Sequence, residues 1–460
     1  MDVCTSGNEC HEYVVSDITT DQTLEMLGGL IGRNTTLKSI GIMQFDVYEE
    51  DEEIADQRAH SSCETLVGGQ VVSFCKGFVT NTSIQKLTLQ NTGSLFGLLN
   101  PFFKNNHNLT ELVVDECRDF GYDGWDFFIS ALRDCVSLKS VKIKYMDLIG
   151  YESGEIFEAL RVHQPQLERL EYPGNNFTRR YSQCKWVLAD LLRDCNRLHT
   201  LDISCNCIDD STLEALIPSL GKLRRLDLSL NGSLGLLTTK AFESLATLLE
   251  DDASSLEELS LEQINIRDDR VHIFARAISN NRKLRVLNLR RNNISESGWM
   301  TFFSSLCDTS TVNNTYLSNH ILEQLIVIRR NVDMVYNERL PWILQFCLDL
   351  NQSFVDKKKV AIMKILSFHP HISMQPLFEW ELKMLPIAVW WFDIARSCPA
   401  QFTFSHNVTE NIQRQLQMIA YTELRKLSAV YEFVRAMPIE CVDGYLGKNT
   451  KKKEEKRARS

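Results

Sequence analysis

The stretch Leu284-Arg-Val-Leu-Asn-Leu-Arg-Arg-Asn-Asn-Ile-Ser-Glu-Ser-Gly298 carries a complete structural unit in outline. Leu287 and Leu289 stand two apart, so on an extended chain both point to one side, while Val286 and Asn288 point to the other. Asn292, five residues past Leu287, can bond main-chain groups of the loop leaving the strand, groups that are costly to bury unpaired. Beyond Ser295-Glu-Ser the apolar spacing becomes 3, 1, 3 at Trp299, Phe302, Phe303 and Leu306, which is a one-sided helix. The hydroxyl and carboxylate side chains ahead of it can cap helix N–H groups. The order is strand, loop, helix.

Working outward, the same three-anchor pattern recurs with first anchors at Ile84, Leu109, Leu138, Leu167, Leu198, Leu223 and Leu256, and a weaker Val312/Thr315/Leu317 follows. First-anchor spacings run from 25 to 33 and cluster at 28 to 29. Leu37/Ile40/Ile42 reads as an outlying first unit. The amide position recurs at Asn175, Asn206 and Asn231, and Cys117 fills it once. The helical spacing recurs at Trp125/Phe128/Ile129/Leu132, Leu213/Leu216/Ile217/Leu220 and Val271/Phe274/Ala275/Ile278, with Asp209-Asp-Ser and Asp268-Asp as candidate caps.

A period of 28 to 29 with a full helix per unit resembles the ribonuclease-inhibitor-like class of leucine-rich repeats. The resemblance covers residues 84–320 well and 24–47 weakly. It implies an α/β solenoid, a horseshoe with a parallel inner sheet and outer helices, because strands about 4.8 Å apart are narrower than helices. The inner, concave face is the usual docking surface of the class.

The expected division is an N-terminal cap over 1–83, holding one degenerate repeat and the acidic run Glu49-Glu-Asp-Glu-Glu; the solenoid over 84–325; an all-α C-terminal extension over 326–440; and a basic tail over 441–460. In the extension, Trp342, Phe346, Trp380, Trp390, Trp391 and Phe392 lie among apolar runs broken by prolines. Its last stripe, Ile412, Leu416, Ile419, Leu427, Val430 and Val434, reads as a helix that caps the solenoid or docks a partner. The block from Val355 to Leu366 with Trp390-Trp391-Phe392 is similar to tails of uncharacterised algal leucine-rich-repeat proteins, a similarity that implies no activity. The tail from Lys451 reads as a solvated segment or a nuclear address.

Composition narrows the function classes. The chain has 460 residues, 44% hydrophobic and 24% charged, with a formal charge of −10. That balance offers no basic footprint for nucleic acid. The most apolar stretch, Met384–Ala395, is shorter than the roughly 20 residues that cross a bilayer and contains Pro386 and Asp393. Neither membrane nor nucleic acid is expected as a partner. Without an apolar leader, the fourteen cysteines read as reduced thiols of a cytoplasmic chain, with the nucleus as the other compartment open to it.

Phosphate-cradling, zinc-protease and nucleophile-elbow motifs are missing from the sequence, so neither cofactor, metal nor catalytic activity is expected. Cys205-Asn206-Cys207 is a weak metal signal without a second pair. Cys135 and Cys195 recur three residues before an anchor leucine and read as small buried side chains, and His369-Pro-His371 reads as a turn. The residues between anchors face away from the core and form the candidate protein-binding set: Lys142, Arg169, Glu171, Asp202, Arg225, Asp227, Glu258, Glu262 and Asn288. From Asp202 to Glu262 the set is mainly acidic, with Arg225 inside it. A partner with a basic contribution would fit; the plainer alternative is that these residues keep an exposed sheet soluble. The expected function is a non-catalytic scaffold for a protein partner. The alternative is a regulator of the Ran GTPase-activating type, whose repeat units Leu284–Gly298 resembles, although that group carries an acidic tail and this chain ends basic.

Overall fold

The computed structural model describes residues 2–7, 9–14, 21–43, 69–327 apart from 119, 149, 164, 177–182 and 233–235, and 340–369. The acidic run from Glu49, the aromatic stretch from Trp380, the apolar stripe from Ile412 and the tail from Lys451 lie outside the described residues, as do Pro370 and His371.

The described chain divides into two compact units, residues 1–305 with 321–348, and residues 306–320 with those from 349 onward. The first holds one sheet. Its strands are β1 (Asp2–Gly7), β2 (Glu9–Val14), β3 (Ser39–Met43), β4 (Lys86–Gln90), β5 (Glu111–Asp115), β6 (Ser140–Lys144), β7 (Arg169–Glu171), β8 (Thr200–Asp202), β9 (Arg225–Asp227), β10 (Glu258–Ser260), β11 (Val286–Asn288) and β12 (Gln324–Ile326). The spatial order runs from β12 down to β3, then β1 and β2. β3 through β12 are parallel neighbours, ten strands in sequence order, while β1 pairs antiparallel with both β2 and β3. This is the α/β leucine-rich-repeat stack that the anchor column predicts. Parallel neighbours require long crossovers, and most of the crossovers here hold a helix.

The anchors bury as the spacing requires. Leu112, Val114, Val141, Ile143, Leu170, Leu201 and Leu287 are at most 1% exposed. On the helices Gly121–Asp134, Asp210–Leu220 and Asp268–Asn280, Phe128, Leu132, Leu216, Leu220, Phe274 and Ile278 likewise have no exposed surface. Each such side chain contributes roughly 2 kcal/mol relative to its exposed state.

One unit is not where the pattern placed it. Val312–Leu317 is a short helix, because the Thr311 hydroxyl accepts the N–H of Asn314 at 3.0 Å and starts a helical turn; Val312 and Leu317 are exposed. The strand is β12, with Leu322, Leu325 and Val327 as its buried anchors. The match at 312 had a threonine at its second anchor, whereas Leu322-Glu-Gln-Leu-Ile-Val327 is aliphatic at all three.

A ladder of amides runs behind the strand exits. Asn175 Nδ2 donates to Ile143 O at 2.8 Å, Asn206 Nδ2 to Tyr172 O at 2.7 Å, Asn231 Nδ2 to Ile203 O at 3.1 Å and Asn292 Nδ2 to Leu261 O at 2.8 Å. Their Oδ1 atoms accept main-chain N–H groups of the preceding unit, from Met146, Asn175, Asn206 and Ile264 in turn. Cys117 does the same work with sulfur, accepting the N–H of Thr92 at 3.3 Å. The column breaks at Met146 and Ile264, where the residue cannot bond in this way.

A second set of side chains satisfies the carbonyls at helix C-termini, which have no partner within their own helix. Asn81 Nδ2 donates to Ile31 O at 2.6 Å, Asn281 Nδ2 to Leu249 O at 2.7 Å and Lys222 Nζ to Cys195 O at 2.7 Å, while Cys135 Sγ lies 3.9 Å from Phe103 O and His163 Nε2 donates to Leu132 O. In the second unit, buried Lys364 donates to Leu306 O and Asn319 O at 2.5 and 3.0 Å.

The caps are partly as expected. Asp209 Oδ1 accepts the Thr212 N–H at 2.7 Å, and Ser295 Oγ accepts the Gly298 N–H at 3.3 Å. Asp268 differs: its carboxylate accepts from Ser295 of the following unit, at 2.8 Å from the N–H, and so links two repeats. At the N-terminal end, the helices Asp21–Arg33 and Gly69–Phe78 touch backbone to backbone, since a Cβ on Gly77 would lie 2.2 Å from the main-chain nitrogen of Gly29.

Candidate functional site

The sheet face opposite the helices presents two rows of side chains from β7 to β11, fixed by strand register. One row pairs Lys142 with Glu171, Glu171 with Asp202, Asp202 with Asp227, Asp227 with Ser260 and Ser260 with Asn288. The neighbouring row runs Arg169, Thr200, Arg225, Glu258. Glu262 stands two residues beyond β10. All nine sequence-selected residues therefore lie on or beside this face.

Their charges are satisfied unequally. Lys86, Glu111, Lys142 and Glu171 form an alternating chain across β4 to β7, with contacts of 3.2, 3.8 and 3.2 Å. Arg225 meets Glu258 at 2.9 Å. Glu262 lies 3.5 Å from Arg291 and 4.0 Å from Arg290, and accepts from Asn288 Nδ2 at 3.3 Å. Asn288 also donates to Ser260 Oγ at 2.9 Å, which is 2.8 Å from Ser229 Oγ. Arg169 forms no ion pair among the described residues.

Among the acids of this set, Asp202 and Asp227 are the exception. Among the described residues neither meets a lysine or arginine; Asp202 accepts the N–H of Ser204 at 2.9 Å and Asp227 that of Ser229 at 2.8 Å, with the Ser204 hydroxyl also bonding to Asp202 and the Ser229 and Ser260 hydroxyls to Asp227. Partial burial raises the carboxyl pKa of Asp202 above the usual carboxylate range, and the charge of Asp227 raises it further. Burial raises Asp227 too, with Glu262 adding to it. The sequence reading took Asp202 to Glu262 as one acidic sector; the ion pairs reduce its unneutralised centre to two adjacent carboxylates. Arg290 and Arg291, which neutralise Glu262, were not in the selected set, although Arg290 occupies in its own unit the position that Glu262 holds in the unit before.

The most deeply buried thiols are poor nucleophiles. Burial pushes Cys75 and Cys135 up to about 12 and Cys184 and Cys195 to about 11. Cys205 and Cys207 are half-buried beside the ladder, with Cys207 Sγ 3.2 Å from Asn176 Oδ1. No group of three or more His, Cys, Asp or Glu that could hold a metal occurs among the described residues. No described helix is long and apolar enough to cross a membrane.

The fold is an α/β leucine-rich-repeat stack with one sheet face exposed. The Leucine Rich repeat family profile matches residues 194–216 and 280–302. Among solved structures, the chain is similar to the leucine-rich repeat-containing protein LegL7 from Legionella pneumophila, at 13% identity over 69% of this chain and 91% of that one, with a TM-score of 0.39. It is also similar to a chain of the yeast Rad7 and Elc1 complex, at 15% identity over 70% and 92%, TM-score 0.34. A third similarity is to Leiomodin-1 actin-binding site 2, at 12% identity over 43% and 87%, TM-score 0.23. Comparison with curated proteins gives no match.

Proposed function

We propose that this chain is a non-catalytic scaffold that binds a protein partner on the exposed face of its parallel sheet, and that the partner brings a basic surface to Asp202 and Asp227. The observation that carries the reading is the contrast on that face: the other acids on strands β7 to β10, Glu171 and Glu258, meet Lys142 and Arg225, and these two meet no lysine or arginine among the described residues. Like charges at directly opposed strand positions destabilise a sheet. A binding surface gives such a pair a use, since a partner's cation would meet carboxylates already arranged, with orientation and on-rate as the main gains. The unit length and the helix in most crossovers support placing the repeats in the ribonuclease-inhibitor-like class, and the buried thiols Cys75, Cys117, Cys135 and Cys195 support a cytoplasmic chain, the nucleus being the second choice.

Affinity purification from the native cell tests this with wild type and with Asp202, Asp227 and Glu258 each replaced by lysine. Loss of a partner from the triple variant, with thermal unfolding unchanged, supports the reading; equal recovery of every partner refutes it.

A further inference from the structure

We propose that Asn231 is a deamidation site which folding protects and unfolding exposes, so that an excursion from the native state is recorded irreversibly at one position in the stack. Asn231-Gly232 is the only Asn-Gly pair in the 460 residues. Glycine leaves the following main-chain nitrogen unshielded, and that nitrogen is the attacking group in the reaction.

The fold requires both residues. Asn231 is a rung of the amide ladder, 1% exposed, accepting the N–H groups of Asn206 at 2.8 Å and Ile208 at 3.1 Å. Its Nδ2 donates to the carbonyls of Ile203, Leu228 and Ser229 at 3.1, 2.8 and 3.3 Å. Gly232 faces the next unit at the ladder's break, where a Cβ would stand 2.4 Å from the Cα and carbonyl carbon of Ile264. The other ladder amides are followed by Asn176, Cys207 and Asn293, whose side chains hinder the same attack.

In the reaction the Gly232 nitrogen bonds to Asn231 Cγ and gives its proton to solvent base. The Cγ–Nδ2 bond breaks and Nδ2 leaves as ammonia, closing a five-membered imide. Water then opens the imide at either carbonyl, leaving aspartate or isoaspartate, so the balance is asparagine plus water to acid plus ammonia, with no oxidant or reductant. In the native chain every polar atom of the amide is held by hydrogen bonds, and Cγ cannot turn toward the nitrogen. Once converted, the carboxylate has no N–H for three buried carbonyls and cannot restore the rung.

The test is to hold the full chain in mildly alkaline buffer, native or in unfolding urea, and follow the one-dalton gain at residue 231 by peptide mass spectrometry. Conversion is expected to be faster in urea by roughly a hundredfold, the native rate being limited by opening of the stack. In urea Asn206 is expected to lag far behind Asn231, and converted chains to be missing from the refolded fraction. Comparable native and urea rates at 231, or equal conversion of Asn206 and Asn231 in urea, would overturn the site. Asn231→Asp made directly tests the one-way step: a thermal midpoint equal to wild type would overturn it.

Discussion

Asn206 donates its main-chain N–H to Asn231 Oδ1, 2.8 Å away in the next repeat, while its own Oδ1 accepts the N–H of Asn175 at 2.9 Å. From Asn175 through Asn206 to Asn231, each rung thus holds the loop before it. Over that run the ladder joins an open stack of short strands, three residues each from β7 onward, into a hydrogen-bonded column.

Replacing Asn206 by alanine removes both donors to Tyr172 O and Ser204 O and the acceptor for Asn175 N–H, all in a buried setting. The expected loss is about 2 to 4 kcal/mol, more than for a surface substitution. Urea unfolding followed by circular dichroism reads it. A midpoint within error of wild type would show that the ladder is dispensable.

The carboxylate pair gives a pH-dependent prediction. Asp202 and Asp227 have raised pKa values in the folded chain, so between the unfolded and folded values the native state holds more protons than the unfolded one. Their destabilising effect is fully present above the folded pKa and is relieved as pH falls through it. Asp202→Asn keeps an oxygen for the Ser204 N–H and removes the repulsion. It is expected to raise stability at neutral pH by about 0.5 kcal/mol, with the gain shrinking toward pH 4. A loss of stability at neutral pH would contradict the assignment.

His163 predicts the opposite slope. It is 1% exposed, donates from Nε2 to Leu132 O and has no partner at Nδ1 among the described residues, and burial lowers its pKa. Its contribution is fully present above the unfolded histidine value and is lost as pH falls through that value toward the folded one. His163→Asn, which imitates the residue that Asn281 supplies elsewhere, is expected to keep the donor and flatten the loss of stability below pH 6.5. Thermal melts across pH 5 to 7.5 measure both slopes. Parallel slopes for variant and wild type would refute the role given to the ring.

At the N-terminal end, Gly77→Val is expected to separate the helices Asp21–Arg33 and Gly69–Phe78, because the new side chain would meet the backbone of Gly28 and Gly29. The expected cost is about 3 kcal/mol. Amide exchange of residues 21–43 is expected to speed up, with that of the strands from β6 onward unchanged. Uniform acceleration throughout would mean that the helix pair is not a local element.

Much of this was legible in the sequence, for definite physical reasons. Strand and loop anchors recur at short, fixed offsets, so Leu287, Leu289 and Asn292 announce their unit without distant information. The misplaced unit at Val312 came from accepting Thr315 as an anchor, when Leu322, Leu325 and Val327 offered an aliphatic set ten residues later. Asn81, Asn106 and Asn281 each stand three residues before a first anchor, a column as regular as the leucines that the sequence reading noticed only through Cys135 and Cys195. The backbone contact at Gly77 was beyond reach, since two glycine-bearing helices do not state their partner. Which face residues neutralise each other was equally hidden: Lys142 could have met any of several carboxylates, and only the strand register puts it beside Glu171 and leaves Asp202 without a lysine or arginine among the described residues.

The most direct measurement of the central claim is site-specific photo-crosslinking in the native cell. One photoreactive side chain replaces Thr200, between Arg169 and Arg225 on the sheet face, and another replaces exposed Arg276 on the helix Asp268–Asn280. Binding on the sheet predicts a partner adduct from position 200, abolished when Asp202 and Asp227 are also changed to lysine, and none from position 276. An adduct from position 276 with none from position 200 would contradict it.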